Sequence, residues 1–526
     1  MSLTMSKPIL NCWPKQITSV WLLPIFTLLH LLLAILSLAH LLIPKCLPRI
    51  TSKSWHRILH LLMESSLYFS LRHLKHLLSV GTLFACIAAS IVIRGGWMHS
   101  EFSAVERYGI FISFLIYVLQ LSLLVPLPFF IFNFLGVVLL NVFTQRPKLQ
   151  RSPLLGPFLC FRVVTKGLYP ELVNDNVEYN LKLCRNVGLH NFIFEVVTDI
   201  PVNLKTNKQA REILVPKDYQ TKSGSLYKAR ALQYALEPEV DILSPGDWIV
   251  HLDEETLLTE EAVIGIVNFT GAAEHSFGQG VITYGHGKII NWVTTLADSI
   301  RVGIDYGCLR FSLGVLHKPI FSWKGSFIVA DAEAEKKISF DHGPEASIAE
   351  DCFFACVAFS RGYSFGFVDG VMLEKSTFTL CDFMRQRRRW MQGILLTALS
   401  SKIPWRFKIG PVLMSFSSCT LPINLLMIPV SFIWPMPSSP FIMLTYNFIL
   451  GTIIYLFILG TLQTFCIQQY GWWRCCLLVL ATILCGLVGG VLENIVSIFV
   501  FWFPKSSITN FYIVNKQVPC DCIKVV

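Results

Sequence analysis

Asp253 and Glu255 stand one residue apart, with Glu254 between them, at the end of the stretch "DWIVHLDEET". Two carboxylates so placed can present oxygen ligands to one cation. Mg²⁺ and Mn²⁺ prefer hard oxygen donors and bridge diphosphates. The pair is therefore a candidate site for a metal bound to a nucleotide diphosphate. A second reading stays open, because "TLLTEEAVIGIVNF" (256–269) has a helical pattern and acids at a helix start favour its dipole. Glu350 and Asp351 form another acidic position in "SIAEDCFFACVAFSRG" (347–362). There Ser347 and Glu350 have capping-box spacing and Gly362 ends an apolar helix, so both acids also read as first-turn residues. "FTLCDFMRQRRRWMQGIL" (378–395) sets four arginines around Gln386, then Trp390, shortly before an apolar run. Alone, it reads as a basic interfacial helix with an aromatic anchor.

An alternation of strands and helices must hold these residues. "PFLCFRVVT" (157–165) is an apolar strand, and "NDNVEYNLKLCRNVG" (174–188) has helical periodicity with Gly188 as its C-cap. "NFIFEVVTDI" (191–200) is a second buried strand, ending near Asp199. "KARALQYALE" (228–237) is helical, and "DWIVHLDEET" is a third strand. This order predicts an α/β fold with a mostly parallel sheet. Ligands bind off the carboxyl ends of such strands, where Asp199 and Asp253 fall.

The rest of the chain belongs to a membrane. Of 526 residues, 53% are hydrophobic and 15% charged, and the mean hydropathy is +0.56. Residues 17–43 and 108–143 carry no charge, whereas 145–409 hold most acids and bases. The expected organisation is membrane segments over 1–144, a catalytic domain over 145–409, and membrane segments with a short tail over 410–526. Spans are expected at 17–43, 77–93, 108–143, 411–434, 441–465 and 475–503, the last interrupted by Glu493 and Asn494. Residues 54–76 read as an amphipathic helix on the membrane surface. The net charge of +10 sits largely beside apolar spans, where Lys and Arg set topology, so nucleic acid is not an expected partner. Several of the 16 cysteines lie in apolar runs as small hydrophobes. Cys520 and Cys522 in the tail are open to lipidation or metal binding. The basic edges Arg146, Lys148, Arg151 and Lys402, Arg406, Lys408 place the domain in the cytosol. The sequon at Asn268 is then out of reach of lumenal glycosylation.

Taken in order, "KARALQYAL", Asp253-x-Glu255, "WKGSF" (323–327), Glu350-Asp351 and Gln386-x-x-Arg389-Trp390 resemble the family 2 inverting glycosyltransferases. These include membrane-embedded cellulose, chitin and hyaluronan synthases. "RVVTKGLYPELV", "FSWKGSF", "FTLCDFMRQRRRWMQGILL" and "FYIVNKQ" are further similar to the egghead-type β-1,4-mannosyltransferases, over about 150–516. The resemblance implies a GT-A-like nucleotide-sugar-binding domain. It implies that Asp199 contacts the nucleobase and that Lys228 and Arg230 approach the donor diphosphate. Asp253 and Glu255 would hold Mn²⁺ or Mg²⁺, and Asp351 would be the general base. Arg389 would serve the diphosphate side, and Trp323, Glu350, Gln386 and Trp390 the acceptor side. The wider family usually has Asp-x-Asp, so Glu255 is a departure with a longer reach.

The donor so implied is GDP-mannose and the acceptor glucosylceramide, in glycosphingolipid synthesis in the endoplasmic reticulum or Golgi. Two other readings are a processive polysaccharide synthase and a non-catalytic membrane protein. Glu493 and Asn494, inside a span, either line a lipid acceptor's path, bond between spans or break a helix.

Overall fold

The computed structural model of the protein describes residues 52–93, 103–205, 208–321, 323–434 and 439–502, with Tyr512 and Lys516. The span expected over 17–43 and the tail cysteines Cys520 and Cys522 lie outside these residues. Helix α1, Ser52–Ile93, is one element. The surface helix expected over 54–76 and the span expected over 77–93 are thus two parts of a single helix, in which Arg72–Val92 is apolar enough to cross a membrane. The run at 108–143 is divided by its prolines. Helix α2, Ala104–Leu121, is capped by Ser103, whose hydroxyl accepts from the Glu106 amide. A short turn, Ser122–Leu124, leads to α3, Leu127–Leu139, with Pro126 at its N-cap and Pro128 in its first turn. Proline is tolerated there because first-turn amides have no intrahelical partner. Ala104–Leu139 is the second candidate span.

Seven strands form one sheet in the order β3-β2-β1-β4-β6-β5-β7. They are β1 Leu159–Thr165, β2 Phe192–Thr198, β3 Ala210–Leu214, β4 Trp248–Asp253, β5 Phe277–Thr283, β6 Ile328–Asp331 and β7 Phe365–Leu373. Only β6 runs against its neighbours. Register aligns Thr165 with Thr198 and Val164 with Asp253, so β1, β2 and β4 end on one edge. The same register puts Arg162 beside Glu195 and His251. Arg162 is fully buried and its Nε donates to Glu195 at 2.9 Å. Its Nη1 reaches Glu335 at 3.4 Å, and His251 Nε2 lies 2.6 Å from the same carboxylate. A charge this dry persists only when it is paired and hydrogen-bonded.

Helix α4, Pro170–Asn186, starts earlier than its apolar period indicates, because Pro170 opens its first turn. Val173, Val177, Leu181 and Cys184 form its buried stripe, and Gly188 follows with φ +90°. Helix α5 is Tyr227–Tyr234. Helix α6, Glu260–Ala272, is capped by Thr259, which accepts from the Ala262 amide at 3.1 Å. Glu260 and Glu261 are therefore its first-turn acids. Asp253 and Glu255 lie before it, which removes the helix-start reading of that pair. Helix α7, Ser299–Ile304, continues into a wide turn, Asp305–Leu309. Helix α8, Glu350–Ser360, has Ala349 rather than Ser347 at its N-cap. The capping box is not formed. Ser347 Oγ accepts from the Leu226 amide and donates to the Gly343 carbonyl instead. Gly362 follows this helix with φ +86°, as expected. Helix α9, Leu380–Leu399, is capped by Thr379.

The last long helices are α10 Ile409–Ile433, α11 Pro440–Thr464 and α12 Trp472–Ser497. Each contributes a candidate span. Glu493 and Asn494 do not interrupt α12. Asn494 Nδ2 donates to Gly490 O within the helix. Glu493 Oε1 accepts from Arg387 Nε on α9 at 2.9 Å, so its partner is a cation on the basic helix, not another span. Helices α7 and α11 meet through small residues. A Cβ at Gly460 would lie 1.8 Å from Ser299 O, and one at Gly303 would lie 2.3 Å from Leu456 O. Gly460→Leu should force these helices apart and cost about 1–3 kcal/mol or more. A lower unfolding temperature in detergent, with activity lost in parallel, is the expected result; an unchanged temperature would contradict this contact.

Candidate active site

A cavity of about 850 Å³ lies off the sheet edge where β1, β2 and β4 end, and Thr165, Asp199 and Asp253 line it. The chain leaves β4 in a tight turn, with the Thr256 amide bonded to Asp253 O at 3.0 Å. The Asp253 amide donates to Thr256 Oγ1, which donates to Glu374 Oε1 at 2.8 Å. Glu254 is buried and turns towards Thr165, while Asn176 Nδ2 holds its carbonyl at 2.9 Å. Asp253 and Glu255 both line the cavity.

Lys228, in the first turn of α5, lies between acids from two elements. Its Nζ donates to Asp253 Oδ1 at 2.7 Å and to Gly325 O at 3.0 Å. Glu350 Oε1 lies 3.7 Å away. Gly325 marks the meeting point: a Cβ there would stand 3.1 Å from Lys228 Nζ and 3.3 Å from Asp351 Oδ2. The segments "KARAL" and "AEDC" thus meet at the glycine of "WKGSF", and Lys228 ties "HLDEE" to them. Burial opposes the charge on Asp253, but Lys228 and then Lys516 overcome this and hold its carboxyl below its usual range. Asp351 goes the other way. Burial, and next the adjacent Glu350, push it up to about 7. A carboxyl so poised can accept a proton near neutral pH.

Glu255 faces a cation from far along the chain. Lys516 Nζ contacts Glu255 and lies 3.1 Å from Glu254. Burial pushes Glu255 up to about 7 against the pull of Lys516, with Asp253 and Glu374 adding repulsion. Among the described residues, no cluster of three or more His, Cys, Asp or Glu side chains could hold a metal alone. Asp253 and Glu255 are two oxygen donors on the cavity wall, so a cation there would have to draw its remaining ligands from elsewhere, as Mg²⁺ does from phosphates and water. The ammonium of Lys516 beside Glu255 shows that this position favours positive charge.

Asp199 lies on the cavity wall and pairs with Arg230 at 2.5 Å. Arg230 does not itself line the cavity. Its guanidinium also donates to the carbonyls of Pro216 and Tyr219, so it braces Asp199. Helix α9 supplies Gln386, Arg389 and Trp390 to the opposite wall. The Trp390 ring has Arg301 at 4.5 Å and Arg387 at 4.4 Å from its centre. Arg387 is anchored to Asp298 as well as to Glu493. Trp323 is buried on the cavity wall, edge-on to Phe365 at 4.9 Å.

Several lining residues escape sequence reasoning. Glu374, Arg301, Asp305 and Lys324 all line the cavity, and Lys324 pairs with Asp305. Lys324 sits inside "WKGSF" and Lys516 inside "FYIVNKQ", so motif membership was the available signal. Glu374, Arg301 and Asp305 carry none.

Comparison with known proteins settles the class. The profile of glycosyl transferase family group 2 matches residues 248–514. The β-1,4-mannosyltransferase egh of Drosophila melanogaster is 45% identical over 449 residues, covering 84% of this chain and 98% of its own length. The β-1,4-mannosyltransferase bre-3 of Caenorhabditis elegans is 47% identical over 424 residues, covering 79% and 91%. The chain belongs to the β-1,4-mannosyltransferase family. It is a glycosyltransferase, which excludes the non-catalytic reading. Among solved structures, the mannosyltransferase PcManGT from Pyrobaculum calidifontis, in complex with GDP-Man and Mn²⁺, aligns over 72% of this chain and 99% of its own. Its identity is 13% and its TM-score 0.36.

For this family member, Gly325 offers a geometric test. Gly325→Ala places a methyl between Lys228 and Asp351 and should lower mannosyl transfer on the order of ten- to a hundredfold. The unfolding temperature should stay close to wild type. Full turnover would show that the two side chains need not hold their present spacing.

Proposed function

We propose that the protein transfers mannose from GDP-mannose to glucosylceramide, inverting the anomeric centre to form a β-1,4 linkage in glycosphingolipid synthesis. The observation that carries the reading is the convergence of Lys228, Glu350 and Asp351 on Gly325, with Asp253 bonded to Lys228, in a chain 45% identical to a β-1,4-mannosyltransferase.

Transfer with inversion is a single in-line displacement. The acceptor hydroxyl attacks the anomeric carbon from the face opposite the nucleotide, and Asp351 takes its proton as the bond forms. Asp199 contacts the nucleobase, and Lys228 lies beside the departing diphosphate. Arg389 adds a second cation as charge gathers on the leaving oxygens. Asp253 and Glu255 are the residues that would hold a divalent ion, which would supply further neutralisation of the charge on the leaving group. Trp390, contacted by two guanidinium groups, and Gln386 and Trp323 form the acceptor side. No covalent enzyme intermediate is required.

The domain acts from the cytosolic face of the endoplasmic reticulum or Golgi in this reading. The basic residues at its two edges support that placement. Asn268 does not bear on the question, because its side chain is held by the backbone of Lys148 and Gln150. A tag inserted near residue 220 should be digested in sealed microsomes without detergent; protection would place the site in the lumen.

Membranes given labelled GDP-mannose and glucosylceramide should place label in the lipid fraction. Label in polymer, or transfer only from UDP-sugars, would overturn the proposal. Asp351→Asn should lower the rate by on the order of 10²–10⁴-fold while GDP binding survives. The wild-type kcat/KM should rise with pH through about 7, where Asp351 loses its proton. A flat profile, or a fully active Asp351→Asn, would remove Asp351 from the role of base.

A further inference from the structure

The charged chemistry occupies only part of the cavity. One stretch of its remaining wall is hydrocarbon, made by Phe129 of α3, Ile320 and Phe321 of the loop before "WKGSF", Ile394 of α9, and Pro411 and Met414 of α10. These residues form a packed surface. The Phe321 ring meets Phe129 edge-on at 5.7 Å and Phe132 at 4.9 Å. Gly410 is pressed so closely on this loop that a Cβ would stand 1.6 Å from Ile320 O. Pro411 and Met414 are three residues apart and so share one face of α10.

We propose that this apolar end holds the hydrocarbon chains of the acceptor lipid, which reach the site between α3 and α10. The inference rests on the lipid-acceptor reading above and adds the place where the lipid binds. A nucleotide and two sugars need chiefly hydrogen-bonding and charged partners, which the rest of the cavity supplies, whereas an apolar wall at this end suits hydrocarbon chains. Both α3 and α10 belong to candidate membrane spans, so this end of the cavity is bounded by the segments most suited to contact lipid. An acyl chain moving from bilayer to groove leaves one hydrocarbon medium for another and loses no hydrophobic stabilisation. The headgroup, carried on the same molecule, is then presented to Asp351 and Trp390, which line the same cavity. Anchoring of this kind turns encounter into a near-intramolecular step.

The test uses full-length enzyme in phospholipid nanodiscs. Glucosylceramide bearing a diazirine halfway along its acyl chain is photolysed, and labelled peptides are mapped. The expected labels fall on Phe129, Ile320, Phe321 or Met414. Labels confined to α11 and α12 would overturn the proposal. So would equal labelling of the groove by a phosphatidylcholine carrying the same diazirine, which would make it a general lipid surface. In a second arm, Met414→Trp narrows the groove. The ratio of kcat/KM for long-chain over hexanoyl glucosylceramide should fall by about tenfold or more, as pocket contacts with single methylenes already discriminate at that level. An unchanged ratio counts against the groove. Wild-type enzyme that mannosylates neither lipid would instead sink the acceptor assignment itself, so the two failures are distinct.

Discussion

Asp253, Glu254, Glu255, Glu350, Asp351 and Glu374 face one cavity, and like charges held close in a partly dry space repel strongly. The cations that offset them come from elements far apart in the chain. Lys228 opens α5, Arg389 lies on α9, and Lys516 follows the last span. No short segment can therefore form the site alone. Charge balance requires the strand ends, the basic helix and the tail to assemble together. It also sets two acids apart in behaviour. Asp253, touched by Lys228, stays ionised, while Asp351, beside Glu350, keeps its proton until near neutrality. Under the proposed mechanism, such opposed environments would separate an ion-binding role from a proton-accepting one.

The sheet beneath carries a second layer of the same constraint. Arg162, Glu195, His251 and Glu335 bond one another in the dry interior behind the strand ends. Shifting β1 by one residue would send Arg162 to the opposite face and strand the Glu195 carboxylate. A register enforced by buried charge keeps Asp253 level with Val164, and so keeps the cavity floor in place. Removing one member leaves its partner uncompensated, which is more damaging than never having had the pair.

How much of this was legible in the sequence depends on how far each feature reaches along the chain. Strands such as 157–165 and 191–200 show as short apolar runs, because both of their faces are covered. Asp199 and Asp253 were findable because they end such runs. Ser347 misled, since its spacing fits a cap while its hydroxyl serves Leu226, more than a hundred residues away. The stretch 54–76 and the span expected at 77–93 lie on one continuous helix, because one helix can carry both patterns in turn. Glu374, Arg301 and Asp305 reach the cavity only through the fold, from segments with no distinctive spacing. Glu493 looked like an intramembrane anomaly until Arg387 appeared opposite it. Family membership added the chemistry that local pattern alone leaves ambiguous.

The contact between Arg387 and Glu493 has a mechanical side. Arg387 holds α9 to α12 at one end of its guanidinium and to Asp298 at the other, and its face stacks on Trp390. Helices that cross a bilayer tilt to match its hydrocarbon thickness. A change in tilt of α12 is therefore delivered to the ring at the cavity wall through one short, stiff linkage. Thicker membranes and thinner ones would hold that ring at different angles.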